Sequence, residues 1–153
     1  MSRSLATLWG IGYLPWAPGT WGSLTALPIG FSLVSIGGVW LLLVGIIATS
    51  AIGWWASERH IQENGQEDPG EIVIDELAGQ WVALLPATLF LPDVLIAFVL
   101  FRAADIFKPW PASWADREIK GGFGVMADDL IAGVYAALGL VVIKLFLNLI
   151  GVM

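Results

Sequence analysis

The sequence predicts an all-α, polytopic helical membrane protein of about five apolar helices, in a single domain covering residues 1–153. The first observation behind this is composition: 58% of residues are hydrophobic, 13% are charged, and the mean hydropathy is +0.80. A soluble domain carries roughly 45–50% apolar and about 25% charged residues. A soluble fold of this length would leave much of that apolar surface facing water, so lipid is its natural solvent. The second observation is that the apolar residues fall into separate runs divided by polar or Gly/Pro segments. The third is that the basic residues collect in alternate connecting segments.

The elements follow in order along the chain. Residues 1–22 form an N-terminal segment rich in Gly, Pro and Trp, expected to be irregular, with Pro15, Pro18 and Gly19 as breakers. Residues 23–37 are apolar and end at a Gly37-Gly38 turn, and residues 39–56 are apolar again. A polar loop, 57–70, carries Glu58, Arg59, His60, Glu63, Glu67 and Asp68. A third apolar helix is expected over 77–91, a turn at Pro92-Asp93, and a fourth helix over 94–107. A second polar loop covers 108–127, and the last apolar run is 130–150. The second and last runs approach the ~20 residues that cross ~30 Å of hydrocarbon. The other three, of about 15 residues, reach roughly 22 Å, so they are short tilted spans or re-entrant segments.

If all five cross, with a cytoplasmic N-terminus, Arg3, Arg59, Arg102, Lys108, Arg117 and Lys120 share one side and only Lys144 lies elsewhere. The positive-inside rule then places both polar loops in the cytoplasm. Nine tryptophans, several at the ends of apolar runs, suit interfacial anchoring and core filling. The first nine residues are too short and too weakly charged for a cleavable signal peptide. A net charge of -6 argues against nucleic-acid binding.

The carboxylates are concentrated. Asp75-Glu76 opens the third expected helix, Asp105 closes the fourth and Asp128-Asp129 opens the fifth, all at the cytoplasmic ends. Such a cluster repels itself unless a divalent cation neutralises it, and hard oxygen ligands of this kind suit Mg²⁺. Helix N-capping is the plain alternative for either pair. Arg102 and Asp105 share a helical face, and Lys108 follows one turn later. Arg102 can grip phosphate oxygens as a fork and Lys108 as a point charge. The alternative is an Arg102–Asp105 ion pair with Lys108 snorkelling to head groups. Lys108-Pro109-Trp110-Pro111 is expected to leave the helix extended.

Pro18-Gly19-Thr20-Trp21-Gly22-Ser23 precedes the first apolar helix, whose free N–H groups suit a phosphate, although Thr20 or Ser23 also fits a simple N-cap. Gly121-Gly122-Phe123-Gly124 permits close backbone approach to a ligand, or is an ordinary turn. His60, the single histidine, is expected at the surface. Asp116 and Arg117 fit either a site or a solvated loop, and Lys144 either snorkels outward or packs on protein. With no cysteine and one histidine, thiolate phosphatase chemistry and a paired-histidine mechanism are excluded. Metal-assisted attack on phosphorus, by water or a carboxylate, remains.

The ordered motifs resemble the bacterial phosphatidylglycerophosphatase A family. They are GIGYLPWAPGTWGS at 10–23, DPGEIVIDE at 68–76 with Gly79 and Trp81, and FRAADIFKPWP at 101–111. Asp116, GGFGVMADD at 121–129, Ala132 and Gly133 complete the set. The resemblance covers nearly the whole chain, and departures are mild: Ala112 and Ala115 are small where larger apolar residues are expected. It implies a bacterial inner-membrane, multi-pass enzyme whose site faces the cytoplasm. Such an enzyme removes the terminal phosphate of phosphatidylglycerophosphate, with Mg²⁺, to give phosphatidylglycerol. On that basis Asp75, Glu76, Asp105, Asp128 and Asp129 are expected to hold metal, with Asp75, Glu76 and Asp129 catalytic. Arg102, Lys108, Gly19, Thr20 and Ser23 are expected to bind the substrate phosphate. A CDP-alcohol phosphotransferase would need aspartates spaced along helices with Gly and Ala-Arg between them, which are missing here. A non-catalytic divalent-cation carrier or scaffold is the alternative of a different class, although its carboxylates should line a path rather than gather at one side. Oligomeric state is not legible.

Overall fold

In the computed structural model, which describes residues 1–66 and 69–151, every regular element is helical. Glu67 and Asp68 of the first polar loop lie outside the described residues, as do the last two residues. The helices are α1 (Ser2–Ala6), α2 (Pro18–Asn64), α3 (Ile74–Ala83), α4 (Leu91–Phe107), α5 (Ala112–Glu118) and α6 (Gly121–Leu149), with a 3₁₀ turn at Ile11–Tyr13. The N-terminal segment is therefore partly helical rather than irregular. Positive φ values at Leu8, Trp9, Trp16 and Ala17 make its bends.

Helix α2 is a hairpin of two helical arms, 18–37 and 39–64. Gly38 takes φ 65 and ψ -164, a conformation that only glycine adopts without steric cost. In a continuous helix residues 33 and 45 would stand roughly 18 Å apart. Instead a Cβ placed on Gly45 would lie 3.1 Å from Leu33 Cδ1, so the second arm folds back along the first. The Gly37-Gly38 turn read from the sequence is thus present. The second arm runs on to Asn64, past the expected end at residue 56, and is closed by the left-handed Gly65.

Other boundaries also differ from expectation. Helix α3 begins at Ile74 and stops at Ala83, only 10 residues, because Pro86 disfavours helical geometry in the residue before it and supplies no N–H of its own. At roughly 15 Å it is too short to cross a bilayer. Helix α4 has 17 residues, roughly 26 Å. Helix α6 starts at Gly121 rather than near residue 130, so Asp128-Asp129 lies two turns inside it and caps nothing. The second polar loop contains α5, and Lys108, at φ 44, ends α4 in a left-handed turn rather than an extended exit. By length and composition, two helices are apolar enough to cross a membrane, Pro18–Asn64 and Gly121–Leu149.

Short α3 packs in the middle of the bundle against α2 and α6, and α4 packs on α6 and also touches α3 and α2. Its depth there comes from small residues. A Cβ on Gly133 would collide with the Gly79 carbonyl oxygen, and one on Gly79 would sit 2.5 Å from the Asp129 carbonyl and 2.7 Å from Phe101. Backbone touches backbone at this crossing. Trp81 Nε1 donates to the Ala26 carbonyl at 2.9 Å and ties α3 to the first arm of α2. Ala112 and Ala115 of α5 are fully buried, so their small size suits the close packing of that helix.

At the end of the bundle away from the polar loops, Lys144 is neither free nor snorkelling. Its Nζ donates to Asp93 Oδ2 at 2.8 Å and to the Pro86 carbonyl at 3.1 Å. Asp93, 2% exposed, also accepts from the Thr88 amide and hydroxyl. Lys144→Met strands that buried carboxylate and is expected to lower stability by roughly 3 kcal/mol. Adding Asp93→Asn should recover most of the loss. Thermal melting in one detergent checks both, and an unchanged melt for Lys144→Met alone would remove the pair from the list of stabilising contacts.

Candidate active site

The bundle brings the first turns of α2 and α3, the last turn of α4 and the second turn of α6 to one end. They enclose a cavity of about 330 Å³ together with α5 and the segment just before α3. The cavity walls include Gly19, Asp75, Glu76, Arg102, Asp105 and Lys108, and beyond them Asp116, Asp128 and Asp129.

Three carboxylates converge. One ligand oxygen each from Asp75, Glu76 and Asp129 lies within 4.8 Å of the others, a spacing that fits a single cation. Asp75 and Asp129 are buried, at 8% and 3% exposed. Burial first, then the negative charges of Glu76 and Asp129, push the Asp75 carboxyl well above the ordinary carboxylate range. Glu76 Oε2 is buried and has no hydrogen-bond partner among the described residues. A buried acceptor left bare is costly, and a bound cation satisfies it. The donor set, all carboxylate oxygen, suits a hard divalent ion.

The other two predicted ligands have cations of their own. Asp105 pairs with Arg102 at 2.5 Å, the i,i+3 pair weighed above, and Asp128 Oδ2 accepts from Lys108 Nζ at 2.7 Å. Lys108 also pairs with Asp116. Burial lowers the Lys108 pKa, but the hydrogen bonds and charges of Asp116 and Asp128 outweigh it and hold the ammonium above its ordinary value. Lys108 therefore stays charged throughout the physiological range and does not snorkel.

Arg102 Nη1 donates to Ser23 Oγ at 3.3 Å, and Ser23 Oγ donates to the Gly19 carbonyl at 2.8 Å. Neither Ser23 nor Thr20 caps α2: the cap position is Ala17 and Pro18 opens the helix. Ser23 touches Arg102, and neither Ser23 nor Thr20 lines the cavity. Arg102 Nε is buried without a hydrogen-bond partner among the described residues.

Gly19 sits against this machinery. A Cβ there would strike Glu76 Oε1 and lie 3.2 Å from Arg102 Nη1. Both are ends of flexible side chains, so Gly19→Ala is expected to spare the fold while displacing the carboxylate and the guanidinium. Turnover should fall about 100-fold, because small misplacements of reacting groups cost that much. A melting temperature within a few degrees of the unsubstituted protein, measured beside the turnover, separates this from misfolding.

His60 lies apart from the cavity and is buried rather than at the surface. Its Nε2 lies 3.1 Å from Glu71 Oε1 and 2.9 Å from Asn64 Nδ2, and the cluster anchors the segment leading into α3. Asp116, ambiguous in sequence, proves to be a cavity residue. Its place among the family-resembling residues was the signal in the sequence, and the turn and helix after Lys108 bring the two together. Arg117 donates to the Ser113 carbonyl on the exposed side of α5.

A family model described as Phosphatidylglycerophosphatase A matches residues 4–144. The chain belongs to the phosphatidylglycerophosphatase A family. It is thereby an enzyme of a phosphatase family. The chain is 38% identical over 139 residues to phosphatidylglycerophosphatase A of Escherichia coli strain K12, covering 87% of this chain and 77% of that protein. It is 37% identical over 135 residues to phosphatidylglycerophosphatase A of Haemophilus influenzae, covering 88% and 83%. A Bacteroides thetaiotaomicron protein named provisionally as a phosphatidylinositol-3-phosphatase is 36% identical over 143 residues, covering 86% of each chain. No solved structure matches the chain. Membership of the family favours an enzyme over a cation carrier or scaffold.

Proposed function

We propose that this protein hydrolyses the terminal phosphomonoester of phosphatidylglycerophosphate, releasing phosphatidylglycerol and inorganic phosphate. The observation that carries the reading is the convergence of Asp75, Glu76 and Asp129 beside two cations, Arg102 and Lys108, in one cavity. In this reading Asp75, Glu76 and Asp129 hold Mg²⁺, with Asp105 and Asp128 at its margin orienting Arg102 and Lys108. The ion, when bound, supplies Lewis-acid charge to the phosphoryl oxygens and favours an ionised water. The residues of the chain do the rest. Arg102 and Lys108 hold the phosphoryl oxygens and stabilise the charge they gain, with the N–H groups at the start of α2 beside them. Lys108, with its raised pKa, serves as a fixed charge and not as a proton donor. A carboxylate of the Asp75, Glu76 and Asp129 cluster takes the proton of the attacking water. The water oxygen bonds to phosphorus as the bond between phosphorus and the glycerol oxygen breaks, and that oxygen leaves as the alcohol with the proton the carboxylate took or with one from solvent.

The whole chain, 1–153, acts as one membrane-embedded domain in the inner membrane of a bacterium. The arms of α2, α4 and α6 cross it, short α3 and the segment after it together make the return to the start of α4, and the cavity faces the cytoplasm, where all the basic residues but Lys144 gather.

The test is phosphate release from phosphatidylglycerophosphate by detergent-purified protein, with Mg²⁺ and with EDTA. Release is expected with Mg²⁺ and a loss of at least about 100-fold with EDTA. Phosphatidylinositol 3-phosphate, suggested by the Bacteroides relative, belongs in the same assay and is expected to be the poorer substrate. No release under either condition from protein with a cooperative melt would sink the reading.

A further inference from the structure

We infer that the acyl chains of the substrate lie in a groove between the second arm of α2 and the start of α6, so that the lipid reaches the cavity sideways across Lys120; this rests on the function proposed above. Two hollows outside the catalytic cavity share Trp54 and Phe123 and form one continuous groove. Its upper part, about 550 Å³, carries the polar side chains of Glu58, Arg59, Gln62 and Lys120 beside the ring of Trp55. Its lower part, about 350 Å³, is apolar and lined by Ala51, Met126, Ala127, Leu130 and Ile131, with Ser50 at the edge. Polar head above, hydrocarbon below, is the profile of a phospholipid. Trp54 and Phe123, about half exposed, meet edge to face at 5.9 Å where the two parts join, a level at which aromatic rings favour the boundary between head groups and chains.

Continuity with the active site identifies the occupant. Lys120 lines both the groove and the catalytic cavity. Gly124, next to Phe123, is a wall of the cavity. Below Lys120 the wall between the two is closed: Glu58 Oε2 accepts from the Gly122 amide at 2.8 Å, and a Cβ on Gly122 would strike α2 backbone. The passage therefore runs over the rim at Lys120. Phosphatidylglycerophosphate carries two phosphates, a terminal monoester and a phosphodiester nearer the chains. With the monoester at Arg102 and Lys108, the phosphodiester is assigned to the rim at Lys120, the residue that lines both spaces, and the chains to the groove past Trp54 and Phe123. Arg59 is exposed, makes no ion pair among the described residues, and adds positive charge where the lipid is anionic.

The test compares phosphatidylglycerophosphate with its deacylated head group. Filling the apolar part with Ala51→Phe is expected to lower the ratio of kcat/KM for the diacyl substrate to that for the deacylated one about tenfold. Hydrolysis of the deacylated compound reports on the proposed reaction itself, so failure there and failure of the groove are distinguishable. A second measurement needs no turnover: phosphatidylglycerol bearing a photoreactive diazirine on one acyl chain, cross-linked to the unsubstituted protein in vesicles and mapped by mass spectrometry. Adducts are expected within 50–55 and 123–131. An unchanged ratio in Ala51→Phe, or adducts spread over the outward faces of α4 and α6, such as Val99 and Val142, would overturn the inference.

Discussion

Asp129→Asn is expected to lower phosphate release by about 10³-fold or more while leaving the protein as stable as before, or more so. Asp129 sits on α6, whereas Asp75 and Glu76 sit on α3, and it is the member that completes the carboxylate cluster across the interface. An amide keeps the shape but removes the charge that attracts a divalent ion and the basicity that accepts a proton. The same change relieves repulsion among three carboxylates packed within 4.8 Å. Activity measured with Mg²⁺ and stability measured without a divalent ion should therefore move in opposite directions. Phosphate release with Mg²⁺ and thermal melting in EDTA, measured on one preparation, check both halves. Near-normal turnover in Asp129→Asn would remove the cluster from the chemistry, and a large drop in melting temperature would give it a structural role instead.

Gly133→Val is expected to abolish activity by a different route, destabilising the fold by about 3 kcal/mol or more. The obstacle is backbone, the Gly79 carbonyl oxygen, which cannot swing aside as a side chain could. Widening this crossing moves α3 away from α6 and so separates Asp75 and Glu76 from Asp129, one turn before Gly133. Gly133→Ala should show an intermediate loss. Melting and turnover should fall together across the series, unlike the pattern expected for Asp129→Asn. A stable, active Gly133→Val protein would mean that the two helices can part without opening the site.

The candidate site was legible in outline because its residue types are expensive anywhere else in so apolar a chain. Carboxylates paired at 75–76 and 128–129, and Arg102, Asp105 and Lys108 at helical spacing, stand out against 13% charged residues. The division of labour among them was not legible. Asp75, Glu76 and Asp129 form the cluster, while Asp105 and Asp128 are taken by Arg102 and Lys108. A linear spacing says which side chains share a helical face but not which helices face each other. Burial of His60 against Glu71 and the Asp93–Lys144 pair escaped detection for the same reason.

Boundaries failed where a polar pattern was read as a loop. Residues 57–64 and 121–127 are helical because packing on neighbouring elements outweighs their polarity and their glycines. The apolar run 77–91 was read as one helix but is broken after Ala83 ahead of Pro86.

By itself the sequence determined that the chain is helical and strongly apolar, that it turns back at Gly38, and that its acidic and basic residues fall near the ends of apolar runs. These follow from solvent preference, glycine conformation and local periodicity, all properties of short stretches of chain. Only the tertiary structure decided that α3 stops short inside the bundle, that Gly79 and Gly133 let backbones touch, and which carboxylates meet. Those depend on contacts between residues about fifty apart, whose energies arise from close packing and charge pairing in three dimensions and leave no trace in spacing along the chain.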